Sequence, residues 1–63
     1  MEEVDIGHTA ELLMKQHGDA AGSVAAKRAD ALLTLGDRFG SAVFRQVARA
    51  IEDLKRQSPP ENL

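Results

Sequence analysis

Two glycine–aspartate pairs, Gly18-Asp19 and Gly36-Asp37, divide the sequence into three stretches, and between them runs an alanine-rich segment, Ala20 to Leu35. The pairs sit in a short echo. Gly18-Asp19-Ala20-Ala21-Gly22-Ser23 returns eighteen positions later as Gly36-Asp37-Arg38-Phe39-Gly40-Ser41. A glycine just past a helix takes a left-handed conformation without a Cβ clash. An aspartate beside it accepts a hydrogen bond from a free N–H of the next turn, and its charge suits the positive helix end. The echo therefore predicts two like corners joining three helices, roughly 5–17, 20–35 and 38–57. Gly22 and Gly40 fall three residues into their helices, and close approach of another backbone is the expected reason. The capping aspartates argue against phosphate binding at either corner, because they occupy the N–H donors and repel an anion.

Helical spacing assigns faces to the three stretches. In the first, Ile6, Ala10, Leu13 and His17 align, with Met14 alongside and Leu12 at the flank. In the second, Ala21, Ala25, Ala29 and Leu32 share a face edged by Val24 and Leu35, opposite Ser23, Lys27, Asp30 and Thr34. Arg28 projects on the apolar side, where its stem can cover the core edge. In the third, Val43, Val47, Ala50 and Leu54 form a stripe widened by Phe39, Phe44 and Ile51. That width exceeds what one neighbouring helix covers. Phe44 and Ile51, with Val47, are the candidate contact surface for another chain. Few β-branched residues and no apolar–polar alternation leave no strand signal. Ser58-Pro59-Pro60 ends the last helix, so the reading is an all-α, small three-helix bundle over 1–57 with a disordered tail at 58–63.

Sixty-three residues make one domain at most. About fifteen large aliphatic or aromatic side chains lie between Val4 and Leu54, a modest core that dimerisation would supplement. No cysteine is present, which excludes disulfide staples and thiolate metal sites. The acidic start lacks the basic and apolar segments of a signal peptide, and no apolar run is long enough to span a bilayer. A soluble, cytoplasmic protein without a membrane partner is the expectation. Residues 1–19 carry five acids against one lysine, a net −4, while residues 20–63 carry seven bases against five acids, a net +2. This asymmetry is too small to imply a nucleic-acid or membrane partner.

Catalytic and metal chemistry find no constellation. His8 and His17 lie nine residues apart and point to opposite sides of a helix. His8 and Glu11 are one turn apart, but the further inward carboxylates of a helical metal site are missing. Ser23 and Ser41 stand at helix starts without a base and an orienting acid. No enzyme activity, cofactor or metal is expected. Arg38, Arg45, Arg49 and Arg56 fall on one face of the third helix, opposite its apolar stripe, and are the candidate anion or nucleic-acid face. Glu52 and Asp53 intrude, at spacings that suit intrahelical pairs Arg49–Asp53 and Glu52–Arg56. A helix-turn-helix reader fits poorly, since Arg38 to Phe44 offers few side chains for base edges.

Arg28-Ala29-Asp30-Ala31-Leu32-Leu33, followed by Gly36-Asp37 and Gly40, resembles a set of short bacterial proteins of unassigned activity. These pair an Ala-Asp-x-Leu-Leu helix with a Gly-Asp corner and a final amphipathic helix. The likeness runs from Ala10 to Arg56 and includes His17-Gly18-Asp19. Many such sequences carry tryptophan where this chain has Phe44. The resemblance implies a fold and no activity. The second corner also resembles a fragment of a tetratricopeptide helix pair, a repeat that stacks at least three deep. The function expected is a small non-enzymatic interaction or regulatory module, acting on an unknown protein partner or as a homodimer. The alternative is a nucleic-acid-associated protein using the arginine face.

Overall fold

The computed structural model describes residues 5–57, and these are all-helical, with 92% in helix and none in a strand. The expected frayed start at 1–4 and tail at 58–63 lie outside the described residues. Helix α1 spans Ile6–His17, a 3-10 turn spans Gly18–Ala20, α2 spans Ala21–Thr34 and α3 spans Arg38–Gln57. The expected three-helix bundle is corrected in one respect. Helical backbone runs on through the first corner, so the chain forms two helical runs of 29 and 20 residues, 6–34 and 38–57. The first run is bent at Gly18 into two arms, α1 and α2.

The two corners therefore differ physically despite their shared letters. Gly36 sits at φ 88° and ends α2 with paired bonds, Gly36 N–H to Leu33 O at 3.0 Å and Asp37 N–H to Leu32 O at 2.8 Å. That pattern is a Schellman closure, which satisfies carbonyls at the helix end. Asp37 then starts α3. Its Oδ1 accepts from Gly40 N–H at 2.8 Å, and its carbonyl accepts from Ser41 N–H at 3.0 Å. A Cβ on Gly40 would stand 2.5 Å from the Asp37 carboxylate, so the cap itself, not another backbone, crowds that position. At the first corner Gly18 has φ 57° and donates its N–H to Met14 O. Asp19 caps nothing. Ala21 N–H already bonds to Gly18 O through the 3-10 turn, so α2 begins without a side-chain cap. The capping role expected for Asp19 is filled by backbone. Asp5 caps α1 instead, accepting from His8 N–H at 3.0 Å.

α2 and α3 form the tightest pair, as an antiparallel hairpin about Gly36. A Cβ on Gly22 would lie 3.9 Å from Ile51 Cγ2 and 3.3 Å from Glu52 Oε2, while Arg28 faces Phe44. Lys55 Nζ reaches the Asp19 carbonyl at 3.5 Å, so the far end of α3 touches the bend. The backbone approach expected at Gly22 is not made: the atoms nearest a Cβ there are α3 side-chain atoms. The buried core is Ala10, Leu13, Ala21, Ala25, Ala29, Val47 and Ile51, with Ser41 also buried. Ile6, Met14, Val24, Val43, Phe44, Ala48, Ala50 and Leu54 pack partly against it. Alanine dominates the α2 face because a methyl group is all that the close helix–helix spacing admits. His17, assigned to the α1 stripe, is exposed, as is Leu12.

Two measurements follow. Asp37→Ala should lower unfolding free energy by about 1 kcal/mol in chemical denaturation, while Asp19→Ala should stay within about 0.5 kcal/mol. Ile51→Ala opens a cavity against the alanine face and should cost about 2–5 kcal/mol by the same assay.

Candidate interaction surface

The contact surface expected from sequence is redrawn by burial. Val47 and Ile51 are both 0% exposed, covered by the chain's own first two helices, and are unavailable to a partner. Phe44 is half-buried against the core, and the Arg28 guanidinium carbon lies 5.8 Å from its ring centroid. That contact is a cation–π pair, and it places Arg28 on the margin of the core as its position on the α2 wheel implies. The width of the α3 stripe is thus absorbed by α1 and α2 together.

The exposed apolar side chains sit elsewhere. Leu35 is 80% exposed and Phe39 is 73% exposed, with Leu33 at 46%. These three flank the α2–α3 corner, while Leu12, 43% exposed, lies apart on α1. Leu35 follows the last residue of α2 and still donates its N–H to Ala31 O at 3.1 Å, so it keeps its place on the α2 wheel and is exposed because it stands at the corner. Phe39 is the second residue of α3, and it projects at the helix end instead of between helices. The signal for both was their closeness to Gly36-Asp37, since side chains at a tight corner lack neighbours on one side.

Two grooves lie beside this framework. One, of about 340 Å³, opens between α1 and α3 and is lined by Glu11, Met14, Lys15 and Leu54. Its floor is apolar, from Met14 and Leu54. The other, of about 200 Å³, lies at the corner and is lined by Leu33, Arg38, Ser41, Ala42 and Arg45.

Arg38, Arg45, Arg49 and Arg56 are all exposed. Arg56 pairs with Asp53 at 3.4 Å, one turn back. The expected pairs Arg49–Asp53 and Glu52–Arg56 do not form. Glu52 leans instead toward Gly22 of α2, and Asp53 is taken by Arg56. Arg38, Arg45 and Arg49 make no ion pair among the described residues. His8 and His17 are exposed, and among the described residues no three His, Asp or Glu side chains converge on a metal site. Among those residues no helix is long and apolar enough to cross a membrane. The chain matches no family model, no curated protein and no solved structure in the comparisons made.

Arg28→Ala should destabilise by about 0.5–1 kcal/mol through its contact with Phe44. A double-mutant cycle with Phe44→Leu checks it: the coupling should account for most of that loss.

Proposed function

We propose that this chain is a small, non-enzymatic protein-interaction module that acts by self-association, with the α2–α3 corner as a principal contact. One observation carries the reading: two large apolar side chains, Leu35 and Phe39, stand almost fully in solvent while the core buries few large ones. Burying a leucine or phenylalanine is worth roughly 1.5–3 kcal/mol, so leaving both wet forgoes a sizeable share of a small domain's stability. Isolated exposed leucines are ordinary, but two large apolar side chains this exposed at one corner favour a contact site there. A second copy is the favoured partner because the same chain is short of core. The likeness to short bacterial helical proteins fits a module of this size and implies no activity.

A second reading has its own observation. Arg38, Arg45 and Arg49 project from one face of α3 without acidic partners among the described residues, over a stretch about 17 Å long, and could follow a phosphate backbone. Complex formation would then fall steeply with salt, and a gel shift missing even at low salt removes this reading.

For self-association, sedimentation velocity should show a dimer that Phe39→Asp converts to monomer, with helical circular dichroism unchanged. A wild-type chain that sediments as a monomer at high concentration defeats the proposal. Phe44→Asp would instead unfold the protein, because Phe44 packs on the core.

A further inference from the structure

We infer that two copies pair antiparallel along α3, with Phe39 of each seated in the groove between Met14 and Leu54 of the other. This rests on the self-association reading and specifies its geometry. On α3, positions 39, 43, 50 and 54 fall within a 60° arc at helical spacing, and all four are apolar: Phe39, Val43, Ala50 and Leu54. Val43, Ala50 and Leu54 are half-buried, whereas Phe39 is exposed. The stripe thus remains partly open along its length and fully open at one end.

The spacing is symmetric end for end. A step of four separates 39 from 43, and the same step separates 50 from 54. Turning one α3 against another lays Phe39 on Leu54 and Val43 on Ala50, twice over, about an axis beside Gln46. A two-fold contact demands this reciprocity. Leu54 is also a wall of the larger groove, so an exposed phenylalanine meets an open apolar groove. Phe39 and Leu54 are about 22 Å apart along one helix, and the partner presents the same interval reversed, so both grooves fill together. A parallel pairing would stack Phe39 on Phe39 and leave both grooves empty.

The groove rim carries both Glu11 and Lys15, and the last turn of α3 carries Lys55 and Arg56, so side-chain charge favours neither sense. The antiparallel sense sets the positive amino end of each α3 beside the negative carboxyl end of the other. Gln46 is exposed near the axis, where two facing side-chain amides can each donate and accept.

The chain has no cysteine, so single cysteines report proximity without background. Gln46→Cys and Gln57→Cys are both exposed and both keep Phe39. In the antiparallel pair, positions 46 meet across the axis and positions 57 stand about 30 Å apart. Oxidation or a short bismaleimide should therefore give a covalent dimer from Gln46→Cys and none above background from Gln57→Cys. Cross-linking of both variants points to parallel helices and overturns the arrangement. Cross-linking of neither, or of Gln57→Cys alone, in a wild-type protein that sediments as a dimer also overturns it, while self-association stands. A wild-type monomer overturns the arrangement and the underlying reading together.

Discussion

Contact between the alanine face of α2 and the Val47–Ile51 stretch of α3 governs the rest of the structure. Ala21, Ala25 and Ala29 are almost wholly buried, and a Cβ built on Gly22 would lie 3.9 Å from Ile51 Cγ2. Small side chains let the helices close on one another and gain many short dispersion contacts. The same choice removes little apolar area from water, since a methyl group has little to remove. Val47 and Ile51 are the largest side chains fully enclosed. A close but thin core is the result, and it leaves Leu33, Leu35 and Phe39 outside.

That thin core explains why the corners carry so much of the architecture. The second is held by a Schellman closure followed at once by a side-chain cap, with Asp37 taking part in both. It sets α2 and α3 antiparallel within three residues. The first is softer: a positive-φ glycine and a 3-10 turn, steadied from a distance by Lys55 on the Asp19 carbonyl. α1 consequently packs over the hairpin as an arm, and its carboxyl half stands far enough from α3 to leave the groove at Met14 and Leu54.

Much of this was legible in the residues. Alanines at every fourth position gave the buried face of α2, and Ala10 and Leu13 gave that of α1, because helical spacing alone decides which side chains share a side. The third helix, Arg38–Gln57, matches its expected span. Three things escaped. Identical Gly-Asp letters hid unlike corners, since whether an aspartate caps depends on whether the backbone has already bonded the same donors. The width of the α3 stripe points Val47 and Ile51 toward a partner surface, yet two arms of the first run cover both. A helical wheel turns Leu35 and Phe39 inward because it treats end positions as though the helix and its neighbours continued past them, yet both are exposed.

We propose that the close, alanine-faced hairpin, which encloses few large apolar side chains, completes its burial with a second copy. Mass action tests it directly, since association of folded chains makes the unfolding midpoint depend on concentration. The melting temperature, followed by circular dichroism at 222 nm, a standard helix wavelength, should climb steadily as protein concentration is raised over about a hundredfold range. A melting temperature that stays constant across that range would contradict it, because the folded chain would then need no partner.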